Sequence, residues 1–261
     1  MRLGALEAGG TKMVCAIGNA NGEIYERISI PTETPEITVP KMIEYFKEKD
    51  IQALGIGCFG PIDLNRKSET YGYITTTPKL AWKSYNIVGA FADALDIPVG
   101  TGVGMGIISN GKLLHGMLHP EGGHVLLTRH PKDTYGGKCP YHSNCLEGLA
   151  AGPAIEARWG KKGIELADKK EVWELEAYYI GQALVDCIML LSPQRIVLGG
   201  GVMHQEHMMP LVREEVKKQL NGYLVTKELE DLDSYIVLPS LNDNQGIMGA
   251  LKLAVDELAM Q

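Results

Sequence analysis

The sequence lacks a long hydrophobic run and a basic tract, and each absence excludes a class of protein. No stretch has 18 successive apolar residues, so no transmembrane helix is predicted. Lys and Arg number 25 against 32 Asp and Glu, which gives a net charge of −7. An acidic chain without clustered basic residues is unsuited to bind nucleic acid or an anionic membrane. The first residues lack a basic stretch followed by an apolar one, so no secretory signal is expected.

Cysteine is scarce, and its five copies are too scattered for a disulfide framework. Only Cys139 and Cys145 lie close together in sequence, whereas Cys15, Cys58 and Cys187 lie in apolar stretches, where buried free thiols are common. This usage favours a reducing cytoplasm and one metal site.

The chain of 261 residues is 45% hydrophobic and 22% charged, which is enough to bury a core in one large domain or two small ones. Its hydrophobic pattern predicts strands alternating with helices, which is typical of an α/β fold. Strands are predicted at residues 3–8, 12–18, 23–30, 53–58, 97–99, 195–198 and 235–238. Helices are predicted from residue 34 or 38, and at 86–95, 154–159, 171–191, 205–220 and 244–258.

The beginning of the chain is echoed near residue 100. Gly10-Thr11 is followed by an apolar strand and Asn21-Gly22, and Gly100-Thr101 is followed by an apolar strand and Asn110-Gly111. Asn-Gly is a strong hairpin-turn signal. The echo favours a duplicated fold whose halves, residues 1–100 and 101–261, each offer a Gly/Thr loop to a shared cleft. The alternative is two unrelated hairpins that use the same common turn.

The second copy lacks a feature of the first. A full strand precedes the loop at Gly9, but only Ile97-Pro98-Val99 precedes Gly100. Pro98 cannot donate to a strand ladder, and three residues make a poor central strand. A segment is therefore expected to be missing before Thr101. The last helix is a candidate to pack back on the first lobe.

The strongest local signal is the motif Cys139-x2-His142-x2-Cys145. Three thiolate or imidazole ligands in a short loop, with one more His, complete the tetrahedral set that zinc prefers. His124 is the favoured fourth ligand, because residues 121–124 are small and tightly bent. His115, His119 and His130 are the alternatives. Four protein ligands leave no position for an activated water, so the predicted site is structural and a zinc hydrolase is disfavoured.

Three glycine-rich stretches are candidate nucleotide sites. Backbone N–H groups of Gly9-Gly10-Thr11 and of residues 100–104 can approach phosphate oxygens, and Lys12 adds a cation. Residues 199–201 follow a predicted strand, where a base or ribose can lie against bare backbone. Each of the three can also be an ordinary turn. Glu121 and Glu147 flank the zinc loop and suit sugar hydroxyls, or are solvated surface residues.

Four motifs together resemble the ROK family (repressors, open reading frames, kinases), and especially its bacterial fructokinase branch. They are EAGGTK at 7–12, HPEGGH at 119–124, KCPYHSNCLEGLAAGPA at 138–154 and GGGV at 199–202. The resemblance covers nearly the whole chain, including ITTTP at 74–78 and NQGIMGA at 244–250.

The resemblance implies a duplicated actin-like ATPase (ribonuclease H-like) fold, two lobes with a cleft, in a cytoplasmic homodimer. It implies MgATP-dependent phosphorylation of a hexose, with D-fructose favoured over mannose and glucose, and a structural zinc. The implied ATP-binding positions are Gly9, Gly10, Thr11, Lys12, Thr101, Gly102, Gly104, Pro153, Gly199, Gly200, Gly201, Val202 and Met203. The implied sugar contacts are Glu121, His124 and Glu147, and the implied zinc ligands are His124, Cys139, His142 and Cys145.

The sequence departs from the family at one place. In the family, the strand equivalent to residues 97–100 continues into an Asp-Val-Asn segment whose aspartate is the general base. Here Val99-Gly100 joins directly to Thr101-Gly102, and a helix and a strand are absent. Asp96 precedes the short strand and lies on its wrong side. No catalytic base is therefore assigned, and a non-catalytic sugar- or nucleotide-binding relative is the alternative.

Overall fold

The computed structural model describes residues 1–102, 105–241 and 244–260 of a mixed α/β protein. Its strands, in chain order, are β1 Leu3–Ala8, β2 Lys12–Gly18, β3 Ile24–Pro31, β4 Leu54–Cys58, β5 Tyr73–Ile74, β6 Tyr85–Asn86, β7 Val99–Gly102, β8 Ile108–Ser109, β9 Lys112–Leu113, β10 Ile196–Val197 and β11 Ile236–Val237. Its helices are α1 Pro35–Lys47, α2 Ile87–Leu95, α3 Leu146–Ala150, α4 Gly152–Trp159, α5 Lys170–Leu191, α6 Met208–Leu220, α7 Lys227–Glu230, α8 Leu232–Tyr235 and α9 Gln245–Leu258.

The chain divides into two compact units. Unit 1 contains Met1–Glu121 and Asn244–Gln261, and unit 2 contains Gly122–Asp243. The contacts thus divide the chain at Glu121, whereas the duplication places its lobe boundary near residue 100, which stays a prediction.

Unit 1 is built on a five-stranded sheet in the order β3-β2-β1-β4-β7. β1 pairs antiparallel with β2, which pairs antiparallel with β3, and β4 is parallel to both β1 and β7. The predicted Asn21-Gly22 turn joins β2 and β3, and Gly22 has a φ of 81° that only glycine adopts readily. One core lies on the face of this sheet that α1 and α2 cover, with Phe46 packed edge-to-face against Phe91.

Helix α9 packs against the same sheet, on β1, β4 and β7. Its buried residues Ile247, Ala250 and Leu251 cluster with Leu3 and Ala5. The approach is close because β4 carries glycine there: a Cβ atom on Gly55 would lie 1.7 Å from the carbonyl oxygen of Ala250. The last helix therefore returns to the first sheet.

Unit 2 is mainly helical. Its core is formed mainly by residues of α3, α4, α5 and α6. Trp173, Tyr179 and Val212 are among its fully buried residues. The only strands described in it form a two-stranded parallel sheet, β10 with β11. The predicted strand at 195–198 is thus shorter in the structure.

Strand β7 differs from the prediction. Thr101 and Gly102, expected in a phosphate-binding loop, extend this strand and pair with Ile56 and Gly57 of β4. The physical reason is that Thr101 and Gly102 follow Gly100 directly. No intervening segment carries the chain away from β4, so these two residues continue the strand. Thr101 Oγ1 is consequently buried without a hydrogen-bond partner among the described residues.

The second predicted hairpin is confirmed. Ser109 pairs with Lys112 across Asn110-Gly111, whose φ angles of 53° and 74° fit a two-residue hairpin turn. No helix in the described part of the chain is long and apolar enough to cross a membrane.

Candidate functional site

The loop at Gly9–Lys12 joins β1 to β2 at the end of the sheet. The Gly9 N–H donates to the carbonyl of Lys12 at 3.0 Å, and a Cβ atom on Gly9 would lie 2.6 Å from that oxygen. Thr32, directly after β3, holds the loop, since its Oγ1 donates to the Gly9 carbonyl at 2.8 Å. Gly10, Thr11 and Lys12 are exposed, as a loop that binds phosphate oxygens through backbone N–H groups needs to be.

Lys79 is a candidate site residue that the sequence analysis did not assign. Its Cε atom lies 3.2 Å, and its Nζ 4.0 Å, from the position a Cβ atom on Gly10 would occupy. Its backbone N–H donates to Thr77 Oγ1 at 3.2 Å, which fixes the start of the side chain. Lys79 therefore places an ammonium group beside the glycine loop. The available signal was its position directly after the ITTTP motif.

Of the second predicted phosphate loop, Thr101 and Gly102 lie in β7, and Gly104 lies outside the described residues. The third glycine-rich stretch, in unit 2, follows β10 after Leu198. Gly200 has φ 103° and ψ 166°, a conformation open essentially to glycine alone. A short 3-10 turn, Gly201–His204, follows it and buries Met203.

Pro153 lies in the first turn of α4 and is exposed. Proline suits that position, because the N–H it lacks would have no partner inside the helix.

The four predicted zinc ligands come together in unit 2. The ligand atoms of His124, Cys139, His142 and Cys145 all lie within 4.8 Å of one another. His124 Nδ1 is 3.6 Å from Cys145 Sγ and 3.8 Å from Cys139 Sγ. Tetrahedral zinc with ordinary Zn–S and Zn–N bonds separates its sulfur and nitrogen ligands by about 3.5 Å. The donor set therefore fits zinc.

Backbone groups support the two sulfur atoms. The N–H of Tyr141 points at Cys139 Sγ at 3.5 Å, and the N–H of Gly148 points at Cys145 Sγ at 3.4 Å. Such N–H···S contacts stabilise thiolates. In the metal-free chain, burial raises the pKa of the Cys145 thiol to about 11, so metal binding would displace a proton.

Arg129 closes the metal loop and was not found from the sequence. Its guanidinium donates to the carbonyls of Tyr135, Gly136 and Ser143, so one side chain ties both ends of the loop together. Nothing in the motif marks Arg129, because its partners are backbone atoms.

The predicted sugar-contacting residues fall in different units. His124 and Glu147 belong to unit 2, and His124 Nε2 lies 3.8 Å from Glu147 Oε2. With Nδ1 facing the sulfurs, Nε2 lies on the side of the Glu147 carboxylate, at a distance longer than a hydrogen bond. Glu121 is the last residue of unit 1, partly buried, and its charge raises the pKa of Cys58 beyond the effect of burial.

Asp96 and Asp63 are the two carboxylates considered for the role of catalytic base, and both are poor candidates. Asp96 caps α2 with a φ of 54°, and it precedes β7, at the end of that strand opposite to Thr101. Asp63 is buried, and hydrogen bonds with Ser68 and then Thr70 hold its pKa below the usual value. A carboxylate so held is a weak proton acceptor. As in the sequence analysis, no residue is therefore assigned as the catalytic base.

Solved structures share this fold. A ROK family glucokinase from Streptomyces griseus, in complex with glucose and AMPPNP, matches with a TM-score of 0.74 at 21% sequence identity. The match covers 98% of this chain and 100% of the glucokinase chain. The fold is therefore the actin-like ATPase fold that the sequence predicts.

Sequence comparison goes further. The model of the ROK family matches residues 3–100 and 93–257. The chain belongs to the ROK family. A Bacillus subtilis (strain 168) relative is 47% identical, over 97% of this chain and 95% of its own length. A relative from Streptococcus mutans serotype c, named fructokinase, is 43% identical, over 96% of each.

The same comparisons bear on the expected missing segment. The family model matches in two stretches that meet at residues 93–100. The alignment with the Bacillus subtilis relative has 283 positions, but 97% of 261 residues is only about 253, so about 30 positions have no residue of this chain. The break in the family match lies next to Gly100, and the alignment gives the length of the stretch that this chain lacks, about 30 positions.

Proposed function

We propose that this chain is an ATP-dependent sugar kinase that transfers the γ-phosphoryl group of MgATP to a hexose, with D-fructose as substrate and fructose 6-phosphate as product. The observation that carries the proposal is the 43% identity with the Streptococcus mutans fructokinase over 96% of each chain. The identity extends over nearly the whole chain, well beyond the short motifs.

The proposed phosphate-binding residues lie in unit 1. Gly10, Thr11 and Lys12 are exposed and are proposed to supply backbone N–H groups and a cation, and Lys79 adds a second ammonium beside Gly10. The bare backbone at Gly199 to Met203 suits the nucleoside, with Pro153 nearby in the family pattern. Thr101, Gly102 and Gly104 complete the second phosphate loop in relatives, and here two of them are tied into β7.

The proposed sugar site consists of Glu121, His124 and Glu147. Carboxylates suit it because each accepts two or more hydrogen bonds from sugar hydroxyls. Zinc, held by His124, Cys139, His142 and Cys145, would order the loop that carries Glu147 and would take no part in the chemistry, because the four ligands fill its coordination. His124 thus links the metal site to the sugar site.

Turnover by this chain is proposed to be slow. Without a positioned base, the attacking hydroxyl loses a contribution of about 10²- to 10⁴-fold in rate. Positioning and electrostatic stabilisation supply most of phosphoryl-transfer catalysis, so residual activity is expected when MgATP binds.

The test is ADP release by the purified 261-residue chain, with its mass confirmed, given MgATP and fructose, mannose or glucose. Slow release that requires a sugar, greatest with fructose, is expected. Rapid turnover at the stated mass would mean that another carboxylate serves as base. Calorimetry that finds neither sugar nor nucleotide binding in folded protein would refute the proposal.

The second candidate is a non-catalytic protein that binds sugar or nucleotide, favoured by the break in the family match at residues 93–100. Sugar binding by calorimetry with no ADP release would support it. Either protein is proposed to act in the cytoplasm as a homodimer, which sedimentation equilibrium would check.

A further inference from the structure

The dipeptide Asn-Gly occurs three times in the chain, at Asn21-Gly22, Asn110-Gly111 and Asn221-Gly222. All three asparagines are exposed. In this dipeptide the asparagine side chain is open to attack by the following backbone nitrogen, because glycine has no Cβ atom to hinder the approach. Since the reacting pair is the same at each site, the surrounding structure decides which of the three can react.

The reaction is an intramolecular substitution that needs no cofactor or oxidant. The glycine nitrogen gives up its proton and bonds to Cγ of the asparagine, while the bond from Cγ to the amide nitrogen breaks. Ammonia leaves with that proton, and a five-membered succinimide ring remains. Water then opens the ring at either carbonyl, which gives aspartate or an isoaspartate whose backbone runs through the side-chain carbon. Either product carries one more negative charge.

Gly22 is shielded in two ways. Its N–H donates to the carbonyl of Asn19 at 3.0 Å, so the attacking nitrogen is held in a hydrogen bond. A Cβ atom on Gly22 would lie 2.2 Å from Cε of Met248, which places a side chain of α9 over this turn. The N–H of Asn21 is bound as well, to Oδ1 of Asn19 at 3.0 Å. Attack at Asn21 therefore requires the turn to open and to separate from α9.

The other two glycines are open. Among the described residues, neither the N–H of Gly111 nor that of Gly222 has a hydrogen-bond acceptor. Beyond the adjacent residues, no atom lies within 4 Å of a Cβ atom added to either glycine. Asn110 joins two strands of only two residues each, and Asn221 directly follows α6. Rotation of either asparagine toward the reactive geometry therefore disturbs only a short exposed turn.

A change at Asn221 acts on the end of α6. The N–H of Asn221 donates to the Lys217 carbonyl at 3.2 Å, and the N–H of Tyr223 closes the turn onto the Leu220 carbonyl at 2.9 Å. A new carboxylate there lies at the negative end of the helix dipole, and an isoaspartate adds a backbone carbon to the turn. Because Leu220 is buried in the core of unit 2, deamidation is expected to loosen the last turn of α6.

We propose that Asn110-Gly111 and Asn221-Gly222 are sites of spontaneous deamidation in the folded chain, and that Asn21-Gly22 is protected from it. The folded protein thus acquires negative charge at two exposed turns as it ages. The proposal rests on hydrogen bonding and packing at three turns, so it is independent of the proposed kinase activity.

The test compares the three sites within one sample of the full chain. Folded protein is kept at mildly alkaline pH, which favours loss of the glycine proton, and mass spectrometry of digests follows the aspartate and isoaspartate forms. Asn110 and Asn221 are expected to react at least about fivefold faster than Asn21, the factor that corresponds to one net hydrogen bond. No reaction at Asn110 and Asn221, or a rate at Asn21 that equals theirs, would overturn the proposal.

The chain in denaturant is the control for the effect of sequence. Without folded turns, the three asparagines should react at similar rates, and folding should slow Asn21 the most. The same ranking in the denatured chain would show that neighbouring residues set the rates, and would overturn the structural argument.

A variant on α9 tests the protection of Asn21. Met248→Ala removes the side chain that covers Gly22, so the rate at Asn21 should rise while that at Asn221 stays the same. Leu253→Ala is the matched control, a truncation of a partly buried side chain elsewhere on the same helix. An unchanged rate at Asn21 in Met248→Ala, or an equal rise in both variants, would contradict the protection assigned to Met248.

The consequence for α6 has its own measurement. Asn221→Asp adds the charge without the extra backbone carbon and should lower the thermal midpoint, and isoaspartate fractions separated by ion exchange should lower it further. Asn110→Asp adds the same charge outside any helix and should leave the midpoint unchanged. Equal midpoints for the two variants would refute the effect on α6.

Discussion

Arg158 Nη1 lies 3.0 Å from Oε1 of Glu176, and both side chains are almost completely buried in unit 2. The same guanidinium reaches Asp133 Oδ2 at 3.1 Å, and Tyr179 donates to that oxygen at 2.6 Å. Glu176 Oε2 has no hydrogen-bond partner among the described residues. Of the two carboxylates that share Arg158, Asp133 therefore receives more hydrogen bonds than Glu176 does.

As a result, the pKa of Glu176 is raised and that of Asp133 is lowered. Burial raises the pKa of Glu176 to about 8, against the pull of Arg158. Burial also acts on Asp133, but the hydrogen bonds from Tyr179 and Tyr135 N–H and the charge of Arg158 outweigh it and hold its pKa below the ordinary value. Burial prevails only where a carboxylate oxygen is left without a donor.

Stability is expected to fall as pH rises from about 5 to 8, because folded Glu176 keeps a proton that the unfolded chain releases near its ordinary pKa of 4.5. Asp133 acts in the opposite sense, since its lowered pKa stabilises the fold above 3.8 and the effect is lost in acid. Thermal midpoints between about pH 5 and 8 would measure the Glu176 effect, and midpoints below pH 3.8 would measure that of Asp133.

Glu176→Gln isolates the first effect. The amide keeps an oxygen for Arg158 and cannot ionise, so its midpoint should vary less between about pH 5 and 8 than that of the parent. Glu171→Gln makes the same substitution at an exposed position of the same helix and should leave the slope intact. A parent slope retained in Glu176→Gln would mean that Glu176 is ionised in the fold.

Lys79 is expected to bind nucleotide phosphate, because its ammonium lies beside Gly10 in the glycine loop. Lys79→Met should weaken ADP and ATP binding by about tenfold, the size of one charge-assisted hydrogen bond. Titration calorimetry would measure it, with Lys83→Met as the control at an exposed lysine. Equal dissociation constants for the two variants would exclude Lys79 from the site.

Gly200 should not tolerate a side chain, whereas its neighbour should. With φ 103° and ψ 166°, Gly200→Ala is expected to cost roughly 1–3 kcal/mol of stability. Gly201→Ala is the matched control, since no positive φ is recorded there and no atom lies within 4 Å of its added Cβ. Urea midpoints would measure both. If both variants unfold alike, the turn after β10 is not constrained as described.

The sequence was most informative where the signals are local. Strands 3–8 and 12–18 and the two Asn-Gly turns follow from alternation and turn chemistry, and the structure has them at those residues. The four metal ligands were found because three of them fall within seven residues.

Long-range relations were not predictable in this way. Lys79 meets Gly10 across nearly 70 residues of sequence, and Arg129 binds carbonyl groups that every residue carries. The placement of Thr101 in β7 depends on what the chain lacks, and a local pattern that predicts a loop does not reveal a shortened connection.

Zinc content tests the metal site directly. Cys145→Ser and Cys139→Ser each remove one of four ligands that lie within 4.8 Å of one another, so zinc should fall from about one per chain to near zero after dialysis against a weak chelator. Cys187→Ser, a free cysteine in α5, is the control and should keep its zinc. A serine hydroxyl can still accept the backbone N–H that each sulfur accepts, from Tyr141 at position 139 and from Gly148 at the start of α3, so both variants remove the metal and keep the cap of that helix. Sugar affinity should fall in both variants, because the loop that carries Glu147 loses its metal, and zinc retained by both would refute the ligand set.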